Sequence, residues 1–158
     1  MGVYLSLLRP LNCAMSAAAV FLGGYISAGN SIFTMDNLIP ISIAMAAVVF
    51  FMGAGNSLND YEDRHIDKKA HPERPIPSGK IRAKSVRSIA YAFFAISAVL
   101  AAFINPGRPF PLALLLINLA VMVSYEKALK SSGIAGNLEI SYLIASLFVF
   151  GAHWLVAQ

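Results

Sequence analysis

Asn59, Asp60, Asp63 and Asp67 lie within nine residues of one another in the stretch NDYEDRHIDKKAHPERPIPSG, Asn59 to Gly79. On a helix, side chains spaced by four stack along one face. Asn59, Asp63 and Asp67 are therefore expected to point the same way, with Asp60 close by. Oxygen ligands gathered on one face repel each other unless a positive partner joins them. Hard oxygen ligands suit Mg²⁺, which binds through one or two carboxylates together with substrate phosphates. The spacing therefore points to a Mg²⁺–diphosphate site.

The elements that must hold these residues are membrane helices. The chain has 158 residues, 58% of them hydrophobic and 13% charged, against about 25% charged in an ordinary soluble domain. Five blocks approach the length of about 20 apolar residues that a bilayer requires: Leu11–Ala28, Leu38–Gly55, Ser88–Ile104, Pro109–Tyr125 and Ile140–Gln158. None contains Asp, Glu, Lys or Arg. The fold class is thus all-α, a multi-span transmembrane helix bundle forming a single domain over residues 1–158. Nothing reads as a cleaved signal peptide. The single cysteine, Cys13, permits no intrachain disulfide.

Charge sets the orientation. Loops alternate sides, so Arg9, the long polar segment Asn56–Arg87 and the Lys127 segment share one side. That side holds every Lys and Arg except Arg108. Because positive charge stays inside, the N-terminus and the acidic motif are expected in the cytoplasm of a multi-pass cell-membrane protein. His153 and Trp154 fall at the opposite interface, where His153 has no catalytic role.

Several residues around the acidic stretch suit an anionic ligand. Pro72, Pro75 and Pro77 stiffen the arm around Arg74, so Arg74 is expected to be held. Arg64, Lys68, Arg74 and Lys130 are candidate cations for diphosphate charge that a metal leaves uncompensated. Arg9, in the opening RPLN, reads equally as an interfacial anchor or as a phosphate contact. Asn56 either supports the site from one turn away or bonds a neighbouring helix. Ser85 is a plausible N-cap for the third span. The plain alternative is a solvated loop of mixed charge, which the carboxylate spacing and the proline arm disfavour.

NDxxDxxxD followed by RPIPSG, with RPxN opening the first span, resembles the UbiA-type intramembrane prenyltransferases. The similarity extends to the segment from Tyr125 to Asn137, and within the family RPLNCAMSAAAVFLGGYI and GNSLNDYEDRHID are most similar to the archaeal digeranylgeranylglyceryl phosphate synthase branch. The resemblance implies a Mg²⁺-dependent enzyme in membrane ether-lipid biosynthesis. It would transfer a geranylgeranyl group from its diphosphate to a lipid acceptor such as geranylgeranylglyceryl phosphate. It further implies that Asn59, Asp63 and Asp67 bind metal with Asp60 assisting. Arg9, Tyr125 and Lys130 would contact diphosphate, with Lys127 as the alternative to Lys130. Asp63, Asp67, Arg74 and Lys130 would carry the catalysis.

The chain departs from the family in one respect. The family has about nine spans and a second acidic motif after the sixth, whereas this chain has five spans and, past Asn137, only Glu139 as an acid. It therefore reads as an N-terminal half, with a complementing C-terminal half or an oligomer as the expected partner and no nucleic acid. Transfer to an aromatic acceptor of the 4-hydroxybenzoate type, and a truncated membrane protein without catalysis, are the alternatives.

Overall fold

The computed structural model describes residues 2–130 and 132–153, which contain helices and turns but no strand. A short helix, α1 (Val3–Leu8), leads into α2 (Pro10–Ala28), and a 3₁₀ turn, Gly29–Phe33, connects to the long α3 (Met35–Glu62). α4 (Arg64–Ala70) follows after a break at Asp63, then the proline arm, α5 (Ala83–Ile104), α6 (Phe110–Ser124), a π-helical turn Tyr125–Leu129, and α7 (Ile134–Ala152). All five expected spans are present as helices long and apolar enough to cross a membrane.

Their boundaries correct the sequence reading in three places. α3 continues past Gly55 to Glu62, so Asn59 and Asp60 ride on the spanning helix itself. α5 starts at Ala83 with Arg82 as its N-cap, and Ser85 lies inside the first turn, where its amide bonds the Arg82 carbonyl. α7 starts at Ile134, so it contains Glu139. The reason is common to all three. Apolar composition marks the hydrocarbon layer, but backbone hydrogen bonding continues a helix into the interface. Residues 154–158 of the expected fifth span, Trp154 included, lie outside the described residues.

α5 packs along α3. The Phe50–Phe93 and Phe51–Phe94 ring pairs meet edge to face at 5.1 and 5.3 Å, and Ser97 Oγ donates to the Ala47 carbonyl at 2.7 Å. α2 and α7 approach more closely still. A methyl group on Gly23 would strike the Phe148 carbonyl, and one on Gly151 would strike the Val20 carbonyl. Small residues allow such approach between membrane helices, where packing replaces the hydrophobic drive. Leu11, Ile26, Phe103 and Ile134 point away from the core, as lipid-facing side chains do.

A second, smaller core lies under the proline arm. Leu7 from α1 and Val86 from α5 are fully buried against Ile81, with Ile76 and Tyr61 at its edge. The arm closes on itself through Ser78 N–H to the Arg74 carbonyl at 3.0 Å and Ile81 N–H to the Pro75 carbonyl at 3.1 Å. Gly79 turns it at φ +75°, a conformation that glycine adopts without strain.

His153 stacks on Phe110 at the far end of α6 and α7, away from the acidic stretch as expected.

Candidate functional site at the end of the bundle

The acidic residues are knitted into one network of charges. Arg9 Nη2 donates to Asp60 Oδ1 at 2.6 Å and to Asn59 Oδ1 at 3.1 Å. Arg74 donates to Asp67 Oδ2 at 2.7 Å and lies 4.0 Å from Asp60. Lys130 Nζ meets Asp63 Oδ2 at 2.5 Å and Glu126 Oε2 at 3.4 Å. The Asn59 amide donates to both Glu126 oxygens at 3.1 and 3.2 Å. Asp60 and Asp67 are almost wholly buried, with side chains 6% and 4% exposed. This is no solvated loop, because carboxylates leave water only when paired.

Each partner is delivered by a local feature of the chain. Asp63 and Asp67 continue the i→i+4 amide bonding of α3, Asp63 N–H to the Asn59 carbonyl and Asp67 N–H to the Asp63 carbonyl, both at 2.9 Å. The four acidic-motif positions are therefore brought together, but their pairings divide them. Asp60 and Asp67 share Arg74, whereas Asp63 shares Lys130 with Glu126. Arg9 is the only described non-glycine residue with positive φ, at 51°, a conformation that costs an L-residue energy. Asn56, buried one turn before Asp60, donates to the Leu8 carbonyl at 2.9 Å. One face of α3 thus grips both the backbone before Arg9 and its guanidinium. Asn56 does bond a neighbouring segment, and through it holds Arg9 in the site.

The π-helical turn brings one of the two lysines to the network. Lys130 N–H bonds the Tyr125 carbonyl at 3.0 Å, five residues back, which returns the Lys130 ammonium to Asp63 and Glu126, contacts that Lys127 does not make. Partial burial disfavours the Lys130 ammonium. The Asp63 hydrogen bond and the Glu126 and Asp63 charges outweigh that and raise its pKa above the ordinary lysine value. Lys130→Ala is expected to weaken binding of a prenyl diphosphate about tenfold, since a charge-assisted hydrogen bond is worth roughly 1.5–3 kcal/mol. Lys127→Ala should change it less than about twofold, as a solvent-screened charge does. Titration calorimetry on the two variants checks the assignment.

Arg64 and Lys68 do not join this network. Arg64 donates to the Tyr61 carbonyl at 2.6 Å and lies over the Tyr61 ring, and Lys68 is exposed. Glu126 was missed by the sequence reading. Its signal was available: a glutamate closing an apolar span, four residues before a lysine.

A cavity of about 310 Å³ adjoins the network. Arg9, Asn59, Tyr125 and Glu126 line its polar end, and Met52, Leu115, Leu147 and Phe150 continue it between α2, α3, α6 and α7. Among the described residues no three Asp, Glu, His or Cys side chains converge as a ready-made metal cage. Each motif carboxylate instead holds a cation. The donor set still fits Mg²⁺: it is all hard oxygen, and four carboxylates face three cations. Mg²⁺ needs only one or two carboxylates when phosphate oxygens complete its shell.

Comparison with known proteins gives the chain its family. Digeranylgeranylglyceryl phosphate synthase of Methanopyrus kandleri is 40% identical over 152 residues, covering 96% of this chain and 53% of the relative. The same-named synthase of Methanothrix thermoacetophila is 37% identical over 147 residues, covering 93% and 52%. A solved structure of digeranylgeranylglyceryl phosphate synthase in membranes superposes with a TM-score of 0.85 at 32% identity, covering 94% of this chain and 51% of that one. The chain spans about half the length of the curated relatives it matches. The model of the UbiA prenyltransferase family matches residues 13–158; with nearly the whole chain covered, this multi-pass helical protein belongs to that family.

Proposed function

We propose that this chain forms one acidic wall of a prenyl transfer site, in which a geranylgeranyl diphosphate gives its prenyl group to a glycerophosphate lipid in ether-lipid synthesis. The carrying observation is the junction of the buried charge network with an apolar cavity through Arg9, Asn59, Tyr125 and Glu126. A molecule with a diphosphate head and an isoprenoid tail has that same polarity. The names of the relatives favour a glycerophosphate acceptor over an aromatic one.

Asn59, Asp63 and Asp67 would hold Mg²⁺, with Asp60 assisting. When bound, Mg²⁺ supplies Lewis-acid stabilisation of the departing diphosphate. Arg9, Arg74, Lys130 and Tyr125 orient the diphosphate and meet the charge that grows on it as the allylic carbon–oxygen bond breaks. Cations fixed in advance at the point of developing charge lower the barrier without reorganising. The acceptor hydroxyl oxygen then bonds to the allylic carbon, and its proton leaves with the released diphosphate. Apolar walls around the reacting carbon would keep from it the water that could capture the same carbon. The gathering of basic residues at this end of the bundle supports a cytosolic position for the network, and a complementing C-terminal half or a second copy would supply the opposite acidic wall.

The test is binding of geranylgeranyl diphosphate to the detergent-purified chain, measured calorimetrically with Mg²⁺ and with EDTA. Saturable binding is expected only with Mg²⁺. No binding, or equal binding in EDTA, would sink the reading.

A further inference from the structure

Two arginines outside the site converge on one aromatic ring. The guanidinium carbon of Arg64 lies 4.3 Å from the Tyr61 ring centroid, and that of Arg87 lies 5.5 Å from it. Arg87 Nη1 also donates to the Tyr61 hydroxyl at 3.3 Å. Among the described residues neither guanidinium pairs with a carboxylate. Glu62, the acid next to Tyr61 in the chain, pairs with neither. The contrast with Arg9 and Arg74 is direct, since both of those are tied to buried aspartates at 2.6 and 2.7 Å.

A tyrosine face attracts a cation, but its quadrupole offsets only part of the repulsion between two of them. Each guanidinium keeps N–H donors beyond those used on Tyr61, in the fork that matches phosphate oxygens. More positive charge lies alongside. Lys68 follows Arg64 by four residues on α4, and Lys84 precedes Arg87 by three on α5, so each shares a helix face with its arginine. Both lysines are exposed. The position also matters. Tyr61 closes the spanning helix α3, and Arg87 sits in the second turn of the spanning helix α5. The cluster therefore lies at headgroup depth, where a phosphate is presented by the bilayer itself.

We propose that Arg64 and Arg87, braced on Tyr61, form a binding site for the phosphate of an anionic membrane lipid. Lys68 and Lys84 add to its charge. The site is separate from the network around Asp60 and does not depend on the transferase reading.

The experiment compares retention of phosphatidic acid, by native mass spectrometry of the detergent-solubilised chain at physiological salt, in wild type and two double variants. R64Q/R87Q removes the site. K69Q/K80Q removes the same charge from exposed positions outside it. Lipid affinity should fall about thirtyfold in R64Q/R87Q, two cationic contacts near a membrane surface being worth that much, and less than about twofold in the control. A thermal melt shows that both variants are folded. R64K/R87K, which keeps the charge and loses the forks, should fall in between. Equal losses in the two Gln pairs would mean diffuse attraction and overturn the site, as would no loss in R64Q/R87Q. Displacement of the lipid by an equal concentration of soluble glycerol phosphate would overturn the assignment to a lipid.

Discussion

Asp67→Ala should weaken Mg²⁺-dependent binding of geranylgeranyl diphosphate by at least about 100-fold, since loss of outer-shell partners alone costs roughly 10–100-fold. Two effects add. The substitution removes one of the hard oxygens that would hold Mg²⁺. It also releases Arg74, whose bond to Asp67 is 2.7 Å long while Asp60 waits at 4.0 Å. Freed, Arg74 is drawn to Asp60, which then faces two cations and is less available to a metal. Asp67→Asn separates the two effects, because the amide oxygen still accepts from Arg74 but carries no charge. It should bind better than the Ala variant and worse than wild type. Calorimetry at saturating Mg²⁺ reads this directly. If Asp67→Asn binds as tightly as wild type, Asp67 is an anchor for Arg74 and not a ligand.

Arg9→Met should cost about 3 kcal/mol of stability, the lower end of what is lost when one partner of a buried ion pair is removed. Asp60 loses its nearest cation, at 2.6 Å, in a position where its side chain is 6% exposed. Arg74 remains, but at 4.0 Å, and that residual pairing keeps the cost at the lower end. Methionine keeps most of the side-chain volume, so the loss reports charge and not a void. Denaturation of the detergent-purified protein, followed by circular dichroism, measures it. Asn56→Leu provides the companion test. If Asn56 acts through the Leu8 carbonyl to hold Arg9, then adding Asn56→Leu to Arg9→Met costs less than the two separate losses together, as coupled residues require. Strict additivity would refute that link.

Much of this site is written locally. Asn59, Asp60, Asp63 and Asp67 were recognisable because helical spacing is a property of neighbouring residues, and the five spans because apolar length is one too. Arg74 was expected to be held, and the proline arm does hold it. Glu126 was overlooked because its sequence surroundings, the end of a span next to two lysines, match an ordinary interfacial turn. Its burial in the network, against the Asn59 amide 67 residues earlier, is a product of the fold. Arg64 shows the other side of this. It was a candidate cation for the diphosphate, but the neighbouring Tyr61 carbonyl and ring hold its guanidinium outside the network.

By itself, then, the sequence determined the bundle of spans, the acidic spacing, the stiff arm and the segregation of positive charge. Each depends on residues within a few turns of one another and on the fixed thickness of a bilayer. The tertiary structure alone decided which cation meets which carboxylate. Arg9 reaches Asp60 across 51 residues and Lys130 reaches Asp63 across 67. Such pairings depend on how α2 and α6 are set against α3, on a left-handed backbone at Arg9, and on the extra residue of the π-helical turn that brings Lys130, and not Lys127, onto Asp63 and Glu126. Helix spacing states which residues share a face. It does not state what that face meets, because rotation and depth of a helix are set by the packing of its partners.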